Sequence, residues 1–155
     1  VSVAVEDAAG PVASCVYDAP RDEAFTAARG HGATVNGTPI RTSDATDLAT
    51  SLIGTGFAYT ASVRAEQGRR LPEVLAAVRD IRRAGSAAID LAWVACGRLD
   101  GFFESGIQHW DYAGGRLLIL EAGGRFDVGP GPHDGIPQVV AAAPGIHDAL
   151  RALAS

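Results

Sequence analysis

The 155-residue sequence contains no Lys and no Met, and only two Cys and two Trp. All 13 basic residues are Arg; they face 18 acidic ones, and the formal charge is −5. Basic charge is therefore scarce, which argues against a protein that tracks a nucleic-acid backbone, so no nucleic-acid partner is expected. No apolar run reaches the roughly 18 residues of a membrane span, and none is expected. No charged segment followed by an apolar one opens the chain, so no secretory signal is visible. Cys15 and Cys96 lie far apart in apolar segments. They read as buried free thiols, which fits a reducing cytoplasm. The four His show no His-x-x-x-His spacing, and zinc is not expected. The absence of Met, with an opening Val1-Ser2-Val3-Ala4-Val5 that reads as the middle of a strand, predicts that an N-terminal piece precedes these residues.

Hydrophobic residues make up 47% and charged ones 20%, which allows a packed core in one domain of ordinary size. Residues 1–45 read as three strands of an antiparallel meander: Val1 to Val5, Val12 to Tyr17 and Glu23 to Ala27. Asn36-Gly37 between short apolar runs is a strong hairpin signal. Too few strands are present for this segment to stand alone, and an exposed edge at Val1 to Val5 would tend to aggregate. Over residues 46–155 strands alternate with helices, the pattern of a layered α/β unit. Strands are predicted at Ser51 to Thr55, Ile81 to Arg83, Leu99 to Glu104 and Gln138 to Ala142. Leu71, Val74, Leu75 and Val78 have the spacing of an amphipathic helix, with Pro72 near its first turn. Further helices are predicted over Ser86 to Cys96, over Asp111 to about Ala122, and around Ile146, Leu150 and Leu153.

Three features carry chemistry. Gly85-Ser86-Ala87 opens a helix, whose first N–H groups point outward and attract oxygen-rich ligands; Ser86 could equally be a plain cap. Glu104, at a strand end after Phe102-Phe103, could accept hydrogen bonds from sugar hydroxyls or simply be solvated. Asp111 sits where an N-cap is needed, and as a cap it would keep lone pairs for a hard cation such as Mg²⁺. Gly54-Thr55-Gly56 lacks the rest of a dinucleotide fingerprint and reads as a loop. Arg69-Arg70 and Arg82-Arg83 read as solvated faces or dimer contacts.

In order, the chain carries Gly-Ser-Ala-Ala-Ile-Asp-Leu-Ala (85–92), Gly-Arg-Leu-Asp-Gly-Phe-Phe-Glu (97–104), Trp-Asp-Tyr-Ala-Gly-Gly (110–115) and Glu-Ala-Gly-Gly (121–124). This set resembles the inositol monophosphatase family of Mg²⁺-dependent, Li⁺-sensitive sugar-phosphate phosphatases. Arg29-Gly30-His31-Gly32-Ala33 with Asn36-Gly37 is similar to the family's hairpin region. The resemblance implies a layered α/β sandwich: a remnant of an N-terminal antiparallel sheet (1–45) and a mixed sheet flanked by helices (46–155). It implies that Asp111 is a metal ligand and contacts an inositol hydroxyl, that Glu104 holds further ring hydroxyls, and that Gly85, Ser86 and Ala87 line the polyol pocket. It also implies a small phosphate monoester as substrate, inositol monophosphate before fructose bisphosphate, histidinol phosphate or 3′-phosphoadenosine nucleotides, and a homodimer. The family's first signature, Asp-Pro-(Ile/Leu)-Asp-Gly-Thr, does not occur; the Asp-Gly pairs at 100–101 and 134–135 lack the preceding Asp-Pro. Most metal ligands and the groups that position the attacking water are thus expected upstream, and the 155 residues alone are expected to be inactive. Bacterial relatives that resemble extragenic suppressors, acting through transcription or RNA-processing partners, supply a non-enzymatic alternative.

Overall fold

The computed structural model describes residues 1–132 and 136–155. The Asp-Gly pair at 134–135 lies outside the described residues. Residues 1–45 form β1 (Ser2–Asp7), β2 (Gly10–Asp18), β3 (Glu23–Ala28), β4 (Ala33–Val35) and β5 (Thr38–Ile40), paired in that order as an antiparallel sheet. The sequence predicts three strands; the last two are short and are closed by the Asn36-Gly37 turn. Both turn residues have positive φ (47° and 79°), the geometry that matches the twist of a two-residue hairpin. Asn36 also accepts the Ala24 N–H at 2.8 Å and donates to the Asp22 carbonyl at 3.0 Å. At the sheet's edge, Val1, Val3 and Val5 are exposed.

The remaining chain forms β6 (Leu52–Thr55), α1 (Ala61–Ala77), β7 (Asp80–Arg82), α2 (Ala87–Ala95), β8 (Gly101–Ser105), α3 (His109–Glu121), β9 (Arg125–Pro130), β10 (Pro137–Ala142) and α4 (His147–Ala154). Its sheet has the order β7-β6-β8-β10-β9, parallel across β7, β6 and β8 and antiparallel across β8, β10 and β9. Strand β9 carries little of the alternation that marks a strand and is legible only once β10 pairs with it.

Two cores explain the layering. Successive strand residues face opposite ways. Val139 and Ala141 of β10 join Val16 and Phe25 of the first sheet and Leu91, Leu117 and Leu118 of α2 and α3. Val140 and Ala142 instead pack on Val74, Val78, Ile146 and Leu150 from α1 and α4. The mixed sheet is therefore covered on both faces, and α2 and α3 lie between the two sheets. No helix among the described residues is long and apolar enough to cross a membrane.

Several local expectations are corrected. Helix α1 begins ten residues before Leu71, so Pro72 is in its interior rather than its first turn. At its start, Gln67 accepts the Ala58 N–H at 2.8 Å and Arg64 donates to the carbonyls of Ala58 and Tyr59. Arg70 donates to the carbonyls of Leu153, Ala154 and Ser155, capping the C-terminal end of α4, where a cation is favoured. Arg70 is thus neither a solvated nor an unpaired group. Gly54 and Thr55 close β6, within the strand predicted over Ser51 to Thr55, and only Gly56 of the Gly54-Thr55-Gly56 stretch lies outside it. Cys15 and Cys96 are free but only half-buried, because Cys15 lies on the face of β2 opposite Ser14 and Val16 and Cys96 follows the last turn of α2. The Asp100-Gly101 pair is structural: Asp100 accepts from Ser43 Oγ at 2.6 Å and from the Leu52 N–H at 2.7 Å.

Glu121, at the end of α3, accepts the N–H groups of Gly30 at 2.9 Å and Gly32 at 2.8 Å. Two separate sequence motifs are thereby one clasp between α3 and the turn after β3. These backbone donors hold the Glu121 carboxyl below its usual range. A lowered folded value means that the contribution is complete above the unfolded value, about 4.3, and is lost as pH falls through the folded one. Glu121→Gln is therefore expected to cost about 1–2 kcal/mol at pH 7, with the gap to the parent closing near pH 3. Urea unfolding of both proteins at the two pH values checks this.

Candidate functional site

A cleft of about 890 Å³ opens between the ends of β6 and β8 and the starts of α2 and α3. Gly85, Ser86, Ala87, Glu104 and Asp111 all line it. The five positions singled out in the sequence, spread over 27 residues, are thus brought to one opening.

Gly85 precedes α2 with φ +95°, and a Cβ there would stand 2.7 Å from Nη1 of Arg83. The positive φ disfavours a side chain; the tip of Arg83 can move aside. Ser86 is the N-cap residue of α2 but makes no side-chain capping bond; its expected role as a side-chain cap is not realised. The first N–H groups of the nine-residue α2 lie at the wall of the cleft.

Asp111 is not the N-cap of α3. That residue is Gln108, and Asp111 lies three positions into the helix. It nevertheless closes the helix start, since Asp111 Oδ2 accepts the Gln108 N–H at 2.8 Å. The helix starts three residues earlier than the sequence predicts, after Gly106, with φ +84°, ends β8 abruptly. Asp111 is half-buried and faces the cleft. Its other oxygen, Oδ1, has no protein partner among the described residues, so the cap leaves one carboxylate oxygen available.

Glu104 leaves the end of β8 and lies back against Gly56, where any Cβ would overlap its carboxyl group. Burial pushes its pKa up to about 7; the Arg83 guanidinium opposes this and the Asp111 charge adds to it. Sequence reasoning missed Asp90, in the first turn of α2, which lines the same cleft and is 1% exposed. Burial, then the charge of Glu104, raise it to about 7. The available signal was an acidic residue within the otherwise apolar run Ala87-Ala88-Ile89-Asp90-Leu91-Ala92.

The donor set is wholly oxygen, which suits Mg²⁺. No three acidic, His or Cys side chains group closely enough to hold a metal among the described residues. Asp111 fits as one ligand of a shared site and not as a complete site.

The chain is similar to known proteins along nearly its whole length. An inositol-1-monophosphatase of Mycobacterium leprae is 44% identical over 158 residues, covering 98% of this chain and 54% of that protein. The Nus factor SuhB of Escherichia coli strain K12 is 44% identical over 135 residues, 86% of this chain and 51% of that protein. Among solved structures, Mycobacterium tuberculosis SuhB superposes with a TM-score of 0.89 at 40% identity, over 99% of this chain and 62% of that one. A Thermotoga maritima IMPase does so at 0.85 and 28% identity, over 98% and 59%. The chain spans about half the length of the curated relatives it matches. The sequence pattern of the inositol monophosphatase family matches residues 1–154, and the chain belongs to that family.

Proposed function

We propose that this chain supplies the polyol-binding wall and one metal ligand of a Mg²⁺-dependent phosphatase that hydrolyses inositol monophosphate or a similar small phosphate monoester. The observation that carries the reading is the convergence of Asp111, Glu104 and the start of α2 on one cleft. Residues 1–45 then belong to a larger antiparallel sheet. The 44% identity to a protein named inositol-1-monophosphatase supports the substrate class.

The chain's own residues have separable tasks. The N–H groups at the start of α2 favour negative charge on an oxygen-rich ligand. Glu104 accepts from hydroxyls remote from the phosphate and orients the ring. Asp111 lends Oδ1 to the cation while Oδ2 stays bound to Gln108, so the ligand oxygen is aimed by the helix. When bound, Mg²⁺ ions lower the pKa of a coordinated water and steady charge on the leaving oxygen. One carboxylate does not displace the hydration shell of Mg²⁺. The 155 residues alone are therefore expected to show no turnover of inositol 1-phosphate with Mg²⁺, and any longer form carrying the family's first metal motif is expected to show turnover that Li⁺ inhibits. Phosphate release measured on both forms tests this; turnover by the 155 residues alone would overturn the assignment of the remaining ligands.

A second reading, contact with the transcription machinery, is favoured by the SuhB relatives named as Nus factors. The two readings separate at Asp111. A biological effect that survives Asp111→Asn belongs to a binding surface, and one that disappears belongs to the phosphatase.

A further inference from the structure

The basic pair Arg82-Arg83 divides at the end of β7. Arg82 pairs with Asp80 on its own strand and borders a separate hollow beside Trp93 and Arg98. Arg83 follows the last residue of β7 and lines the functional cleft instead. It is exposed. It is also the only basic side chain among the described residues of that lining, set against three acids, Asp90, Glu104 and Asp111. The function proposed above gives it no task.

Its guanidinium has a defined place. Nη1 of Arg83 lies over Gly85, where a Cβ would stand 2.7 Å away, so the cation sits beside the wall that Gly85, Ser86 and Ala87 form. Arg83 acts on Asp90 and Glu104 by charge alone, and no hydrogen bond joins it to either. A guanidinium can only donate and an ionised carboxylate can only accept. Held apart in one cleft, the two leave room for a group that does both, and a hydroxyl is such a group. Adjacent hydroxyls of a polyol ring suit the pair: one donates to Glu104 and its neighbour accepts from Arg83. Hydrogen bonds of this kind, with one ionised partner, are about twice as strong as neutral ones.

We propose that Arg83 is a substrate-binding residue which, with Glu104, makes the cleft selective for phosphate monoesters whose alcohol carries adjacent free hydroxyls. This rests on the polyol-binding reading of Glu104 given above. Arg83 supplies the donor and Glu104 the acceptor, so an alcohol without hydroxyls gains nothing from either.

Arg83→Ala tests the assignment, and because Arg83 is exposed the variant is expected to melt as the parent does. In a form that turns over substrate, the preference for inositol 1-phosphate over p-nitrophenyl phosphate, as a ratio of kcat/KM values, should fall roughly five- to thirtyfold, chiefly through the KM of the inositol ester. Arg83→Lys keeps one charged donor and should recover part of that loss. A ratio unchanged in Arg83→Ala overturns the proposal and leaves the phosphatase reading standing: equal losses for both esters make Arg83 a contact of the phosphate, and no loss for either makes it a solvated charge. Failure of every form to hydrolyse phosphate monoesters overturns the phosphatase reading. Titration of the 155-residue protein with myo-inositol, followed by ¹⁵N NMR, then decides the contact. The amide signals of Gly85 and Ala87 should shift in the parent, with binding weakened roughly threefold or more in Arg83→Ala. No shift in the parent, or the same affinity in both proteins, overturns the proposal.

Discussion

Asp111→Asn is expected to lower turnover of a phosphate monoester roughly 10²- to 10³-fold in a form of the protein that carries the first metal motif. Fold stability should fall by no more than about 1 kcal/mol. The asymmetry follows from the two oxygens. Asparagine can present its amide oxygen to the Gln108 N–H, which now reaches Oδ2 at 2.8 Å. It then has only an NH₂ group to turn toward the cation, and a hard divalent ion does not accept that exchange. Because Asp111 is half-buried on the cleft side of the helix, the loss of charge is not compensated by solvent alone. Phosphate release and thermal melting, recorded on the same preparations, separate the roles. Equal losses in both would make Asp111 a helix-closing residue and nothing more.

Gly115→Val is expected to produce the largest loss of stability, at least about 3 kcal/mol. Gly115 is buried where α3 crosses α2, and a Cβ there would stand 2.6 Å from both Cβ and Cδ1 of Leu91. The Cβ of Leu91 is fixed to its own helix and cannot rotate away, so the helices must separate. Separation opens the core shared by both sheets, which Leu91, Leu117 and Leu118 help to fill. A β-branched residue adds a rotamer restriction in a helix. Neighbouring Gly114 faces the other way, toward Ser2, Val16 and Val3, so the paired glycines of the motif let α3 approach one partner on each side. Chemical denaturation of the parent and the variant gives the difference; a variant within 1 kcal/mol of the parent, judged against about 5–15 kcal/mol for a whole domain, would show that the helices have room to move.

Much of this was legible in the residues. The valine alternation before Asp7, the Asn36-Gly37 turn and the apolar run into Ala142 each gave an element of the right type, because period and turn chemistry are local. The motifs around 85, 104 and 111 named the residues that meet in the cleft. What was not legible depended on distant partners. Arg70, within α1, reaches the end of α4, 84 residues on at Ala154, and no local pattern records that bond. The cap of α3 shifted by three residues, to Gln108, after Gly106 turns the chain sharply, a choice that the mixed stretch Gly106-Ile107-Gln108-His109-Trp110 leaves open. Asp90 escaped notice because an acid in an apolar helix acquires meaning only when the fold brings it to the cleft that Glu104 also lines. Glu121 looked like part of a motif for chemistry, and its partners proved to be backbone groups of Gly30 and Gly32.

Helix α3 carries Asp111 near one end and the Glu121 clasp at the other, and it is gripped along its length from both sides. Such a member tolerates almost no experimentation. A lineage that drifts toward a new alcohol would have to leave it alone and rework the rim, the stretch before Gly85 and the exits of β6 and β8, where side chains can lengthen or shrink without disturbing a packed helix. Diversity in what is accepted and constancy in how the cation is held would then be two outcomes of one architectural constraint.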